Sequence, residues 1–129
     1  MYGVMLAIAL SAFAVMAEET KRIDIVYLGT DDCFYCQHWQ AARKPELLAA
    51  IRGTRARLVE IHGETLSQPI IERHYPPDYR WLYREVGDLR GVPRFFLVVD
   101  GKIVLRVIGT NAYSQVFLPR LQQVLAASR

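Results

Sequence analysis

The amino-acid sequence predicts a single α/β domain, a mixed sheet of about four strands with helices covering both faces. Three observations lead there. Short β-rich runs alternate with helical ones, so at least one strand–helix–strand crossover, and with it a parallel strand pair, is required. Asp100-Gly101 stands between two apolar runs and signals a hairpin, which adds an antiparallel pair. The 129 residues, 52% hydrophobic and 22% charged, have the balance of one globular domain and lack the bias of disordered, collagenous or repeat chains.

The N-terminus is a separate object. Residues 1–17 carry no charged side chain, and the apolar run Val4 to Leu10 leads to small residues at Ser11, Ala12 and Ala14. Polar sequence begins at Glu18. This pattern reads as a secretory signal cut after Ala17, or as a retained N-terminal anchor, and leaves residues 18–129 as the domain. Met1-Tyr2-Gly3 contributes no Lys or Arg, so a buried N-terminal helix stays open as the alternative.

Within the domain, Ile23 to Leu28 reads as a largely buried first strand ending at Gly29. Thr30-Asp31-Asp32 supplies candidate caps for a helix from Cys33 to about Ile51, which Pro45 should kink or split and Gly53 should stop. Ala56 to Ile61 alternates as a second strand. Ser67-Gln68-Pro69 opens a short helix to about Arg73, Tyr75-Pro76-Pro77 breaks it, and Asp78 caps another running to Val86 before Gly87. Phe95 to Val99 and Lys102 to Ile108 form the hairpin arms. Asn111 or Ser114 starts a last amphipathic helix through Val116, Phe117, Leu121, Val124 and Leu125, with Pro119 as a kink or a first-turn residue.

Sixteen Lys and Arg against thirteen Asp and Glu give a formal charge of +3, with no basic run. No nucleic-acid partner is expected, and the arginine-rich exterior reads as a solvated surface. The two cysteines carry more. They form one pair, Cys33-Phe34-Tyr35-Cys36, without the second ligand pair of a zinc ribbon and without the His that haem attachment needs directly after the second cysteine, where Gln37 stands. His38, His62 and His74 follow no recognised metal spacing, so no metal and no cofactor is expected, and His62 and His74 read as structural residues without a nameable partner.

At a helix start the two sulfurs lie one turn apart, close enough to open and close a disulfide without moving the fold. Unpaired N–H groups and the helix dipole favour thiolate at Cys33 and lower its pKa, which makes it the exposed nucleophile and Cys36 the resolving thiol. A structural disulfide, or two buried thiols that fill space, is the competing reading. Asp31 and Asp32 either cap the helix or oppose its dipole. Phe34, Tyr35 and Trp39 form an aromatic rim around the sulfur, unless Trp39 belongs to the core.

With Arg90-Gly91-Val92-Pro93 before a hairpin, and Gly109 after it, the chain from Arg22 to Ala127 resembles the thioredoxin superfamily. The resemblance implies a thioredoxin-like fold with a minimal core, a cis Pro93 packed against the redox pair, and Val92 offering its backbone to an extended substrate. Cys33 and Cys36 are then the catalytic residues, and Phe34, Tyr35, Val92, Pro93 and Arg94 the substrate-binding ones. The departures matter as well. Thioredoxins proper carry a further strand and helix before the core, whereas here the expected core strand begins almost at once; Trp-Cys-Gly-Pro-Cys is replaced by Asp32-Cys33-Phe34-Tyr35-Cys36, and Tyr27 stands where many members carry a buried aspartate. Arg94 replaces a common threonine, and its guanidinium either favours thiolate or an acidic partner, or is simply solvated. Early core strand, Cys-x-Tyr-Cys and Trp39 are together similar to short exported thioredoxins that accompany bacterial sulfur-oxidation systems. The function implied by this resemblance is that of a monomeric periplasmic thiol-disulfide oxidoreductase that reduces a dedicated protein partner and is fed by a membrane electron donor. Oxidase or isomerase action, and a non-catalytic binding module with a structural disulfide, are the alternatives.

Overall fold

The computed structural model describes residues 21–128. The expected signal or anchor at residues 1–17 lies outside them. Four strands, β1 (Ile23–Thr30), β2 (Ala56–Gly63), β3 (Arg94–Val99) and β4 (Lys102–Ile108), form one sheet in the order β2-β1-β3-β4. β1 pairs parallel with β2, Ile25 opposite Leu58, and antiparallel with β3, Ile25 opposite Leu97. All eight residues of β1 are buried, as a central strand covered on both faces requires. The β3–β4 turn places Asp100 at φ 51° and Gly101 at φ 76°, the left-handed pair that a two-residue hairpin loop needs.

Two clusters of buried side chains lie on opposite faces of the sheet. Ile23, Ile25, Tyr27, Phe95 and Leu97 meet Trp39, Leu47, Tyr113, Phe117 and Leu121 on one face. Val26, Leu28, Phe96 and Val98 meet Ile70, Tyr75, Tyr79 and Leu82 on the other. At the rim of the sheet, buried Asp24 accepts from Arg57 Nε at 2.7 Å and pairs with Arg22 Nε at 3.1 Å, so its carboxylate is neutralised where burial alone would be costly.

The first helical stretch is α1 (Phe34–His38), a π-turn (Trp39–Arg43) and α2 (Lys44–Ile51); the last is α4 (Thr110–Ala112), a π-turn (Tyr113–Phe117) and α5 (Leu118–Ala127), while α3 (Arg80–Val86) crosses the opposite face. Each π-turn immediately precedes a proline at the start of the next helix. In a continuous α-helix Pro45 would clash with the carbonyl of residue 41 and leave it unpaired. The wider turn relieves this, with Lys44 N–H bonding to Trp39 O and Leu118 N–H to Tyr113 O. It also changes the phase. At 100° per residue an unbroken helix puts Leu47 and Ile51 about 80° and 120° from Trp39; one inserted residue brings both to within about 20°. All three are buried on the same face.

Between Ser67 and Arg73 the expected short helix does not form. Ile70 instead makes a two-way bridge with Leu89, its N–H to Leu89 O at 2.8 Å, and only Glu72–His74 turns, as a 3-10 segment. Burial of Ile70 in the second core cluster overrides the local helix signal of the proline.

Candidate active site

The reactive turn is built at the C-terminal end of β1. Cys33 is the N-cap of α1, in extended backbone at φ −91° and ψ 113°, and its sulfur accepts the Cys36 N–H at 3.1 Å. Cys33 and Cys36 are joined as a disulfide with Cα atoms 5.1 Å apart. Because the sulfur itself fills the cap position, neither preceding aspartate caps the helix. Asp32 turns away to accept the Thr30 hydroxyl at 2.8 Å and the Leu66 N–H at 3.0 Å, and those bonds hold its carboxyl below the usual carboxylate range. Asp31 contributes its carbonyl, which accepts from Gln37 Nε2 at 2.6 Å.

The expectation of an exposed Cys33 is corrected: 2% of it is accessible, against 1% of Cys36. Its sulfur is bonded to Cys36 and lies 3.8 Å from the Val92 carbonyl, a contact and not a hydrogen bond, since a disulfide sulfur has no proton to donate. Phe34 and Tyr35 stand clear at 74% and 60% exposure, whereas Trp39 is wholly buried and belongs to the core, stacked on Tyr27 with ring centroids 4.5 Å apart.

The Val92–Pro93 peptide is cis, and a groove of about 290 Å³ runs along it between Tyr35, Ile108, Gly109 and Thr110. Of the five residues expected to meet a substrate, Tyr35, Val92 and Pro93 line this groove, and Phe34 stands exposed beside Tyr35. Arg94 is placed differently. Its Nε donates to Gly91 O at 2.8 Å and its Nη2 to Arg90 O at 2.6 Å, so the guanidinium ties down the loop before the proline.

Behind the disulfide a second opening, of about 350 Å³, is lined by Tyr27, Thr30, Asp31, Cys36, Gln40 and His62. Gln40 Nε2 donates to Glu60 Oε1 at 2.6 Å, Lys44 Nζ to Glu60 Oε2 at 2.7 Å, and His62 Nε2 lies 3.7 Å from Glu60 Oε1. Burial pushes the Glu60 carboxyl up, but hydrogen bonds from Lys44 and Gln40 and the Lys44 charge outweigh it and leave the group below its ordinary value. Burial raises the Tyr27 hydroxyl above its ordinary 10.0, opposed by Gln40.

Both histidines thus have partners that sequence reasoning missed. The strand predicted to stop at Ile61 continues to Gly63 and sets His62 opposite Gly29, on the same side of β2 as Glu60. A Glu-x-His pair on one strand was the available signal. His74 accepts the Ile71 N–H on Nδ1 at 2.9 Å, which places its neutral-state proton on Nε2, 2.6 Å from Glu64. Among the described residues no three His, Cys, Asp or Glu side chains converge as a metal would require, and no helix is long and apolar enough to cross a membrane.

No protein-family model matches the chain, and no curated protein matches its sequence. Solved structures do match. Thioredoxin from Aeropyrum pernix superposes with a TM-score of 0.53 at 16% identity, covering 80% of this chain and 75% of that one. Thioredoxin f2 from Chlamydomonas reinhardtii gives 0.50 at 18%, covering 82% and 83%. The periplasmic thioredoxin SoxS from Paracoccus pantotrophus, in its reduced form, gives 0.50 at 16%, covering 84% and 100%. What is shared at such identities is the architecture, and with the mixed sheet of four strands and the Cys33–Cys36 pair at a helix start it establishes a thioredoxin-like fold.

Proposed function

We propose that the protein is a thiol-disulfide oxidoreductase acting on a protein partner in the periplasm or an equivalent exported space, in the direction of reduction. The observation that carries this reading is the cap at Cys33. The sulfur sits at the start of the helix and accepts a backbone N–H, so after reduction the same bond stabilises a thiolate in preference to a thiol. Cys33 then attacks a partner sulfur, a Cys33–partner bond forms and the second partner sulfur leaves as thiolate. Cys36 attacks Cys33, the Cys33–Cys36 bond re-forms, and the two electrons of the dithiol have passed to the partner. A membrane donor of reducing equivalents closes the cycle, and the similarity to an exported thioredoxin supports the compartment. Val92 and Pro93 frame the groove for an extended segment, whose main chain gives affinity with little sequence selectivity.

Near-complete burial of both sulfurs favours one competing reading, a binding module stiffened by a structural disulfide. Cys36→Ser separates the two. The oxidoreductase accumulates mixed disulfides through Cys33 that vanish on adding Cys33→Ser, and mass spectrometry of the trapped species identifies the partner. A module traps nothing.

A further inference from the structure

After the partner is attached to Cys33, Cys36 must lose a proton to become a nucleophile, although it is 1% exposed and the partner covers the groove at Val92 and Pro93. The opening behind the disulfide has Cys36 in its wall. It shares no lining residue with that groove and has room for several waters, each needing about 30 Å³ of liquid volume. At its wall stands His62, a half-exposed imidazole, the side-chain type that ordinarily exchanges protons near neutral pH.

We infer that His62 is the base that accepts the Cys36 proton, through water in this cleft, in the step that resolves the mixed disulfide; the inference rests on the proposed function. The proton leaves Cys36 Sγ for the imidazole, the thiolate attacks Cys33 Sγ, the Cys33–Cys36 bond forms, and the Cys33–partner bond breaks with the pair going to the partner sulfur. The imidazolium returns its proton to the cleft water, and the partner thiolate is protonated by solvent. No further reactant is needed.

Groups from three neighbouring elements face the imidazole. From β2 the Glu60 carboxylate faces it at 3.7 Å, from β1 the Tyr27 ring presents at 5.8 Å between centroids, and Asp31 lines the same cleft from the loop before α1. Lys44 from α2 is the opposing charge, and its ammonium is engaged by the other Glu60 oxygen at 2.7 Å. Glu60 is a positioning residue, since it acts on the imidazole and does not line the cleft with Cys36. Tyr27, standing where the related fold often carries a carboxylate, has a hydroxyl held too high to serve as base near neutral pH.

The test uses the reduced protein and the aromatic disulfide dithiobis-nitrobenzoate, whose coloured thiolate is released twice. The first release reports attack by Cys33 and the second reports resolution by Cys36. In His62→Gln the first phase is expected to stay within about twofold of the parent. The second should slow by about 10- to 100-fold, the lower end of general-base effects, and lose its rise through neutral pH. Glu60→Gln, which removes the carboxylate facing the imidazole, should slow the second phase alone, by less than His62→Gln does. A second phase in His62→Gln with the parent's rate, or a slowed one with the parent's pH profile, overturns the inference. Should the parent show no first phase, the proposed oxidoreductase itself fails, which the two-phase readout distinguishes.

Discussion

Gly29 lies in ordinary extended backbone of β1, where replacing glycine by alanine normally stabilises a protein by about 0.4–1 kcal/mol through the unfolded chain. Here the sign should reverse. A Cβ on Gly29 would collide with the Tyr27 hydroxyl and the ring carbon that bears it. Tyr27 cannot step aside cheaply, because its ring is stacked on Trp39 at 4.5 Å and packed 5.8 Å from Phe95, with 1% of the residue accessible. Overpacking of this kind costs about 1–3 kcal/mol, so Gly29→Ala should be net destabilising by about 1–2 kcal/mol. At about 4 °C per kcal/mol for a domain of roughly a hundred residues, the melting temperature should fall by about 4–8 °C. The assay is thermal and urea unfolding of the parent, Gly29→Ala, Tyr27→Leu and the double variant. Leucine at 27 removes the colliding atoms, so the cycle should show a favourable coupling of about 1–2 kcal/mol. A Gly29→Ala protein more stable than the parent, or a coupling near zero, refutes the argument that Gly29 is required by the path of the Tyr27 ring.

Three further outcomes are expected, two from the loops around the site and one from the hairpin at the far end of the sheet. The Asp32 carboxyl is depressed in the folded state by the Thr30 hydroxyl and the Leu66 N–H, so its stabilisation is present above the unfolded value near about 3.9 and is lost as pH falls through the folded one. Hydrogen exchange at the Leu66 amide should therefore accelerate in acid, and Asp32→Asn should remove that dependence. Arg94→Ala strips two bonds from the carbonyls of Arg90 and Gly91 and should cost about 1–2 kcal/mol in urea unfolding, with Arg94→Lys recovering less than half. Gly101→Ala, at φ 76°, should cost about 1 kcal/mol and slow folding if the hairpin forms early, readable in a chevron plot.

Much of this architecture is legible in the sequence because the signals are local. The crossover order, the Asp100-Gly101 turn and the helix start at Cys33 all depend on neighbouring residues, and each appears in the fold as the sequence predicts. The losses come where a distant contact decides. Asp32 is a candidate cap because it precedes the helix, but the cap position falls to Cys33, and the Asp32 carboxylate is claimed by Leu66, thirty-four residues away. Ile70 leaves its expected helix for a bridge to Leu89. The placement of His62 beside Glu60 is hidden because it lies just past the predicted strand end, and boundaries have the weakest local signal. Arg94 cannot be placed from sequence at all, since the carbonyls it binds belong to a loop whose course depends on Gly91 at φ 86°.

One pattern in the sequence gains its meaning only from the fold. An aromatic residue is followed six positions later by proline and eight positions later by leucine in Trp39, Pro45 and Leu47, and again in Tyr113, Pro119 and Leu121. In both copies the aromatic opens the π-turn, and the two aromatics meet edge to face at 5.7 Å. The joint at Trp39 separates the cysteine-bearing coil from the remainder of its helix, much as a coupling separates two shafts. Beyond it Leu47 and Ile51 return to the buried face that Trp39 occupies, so one joint serves both to seat the proline and to bring the outer coil back onto the sheet.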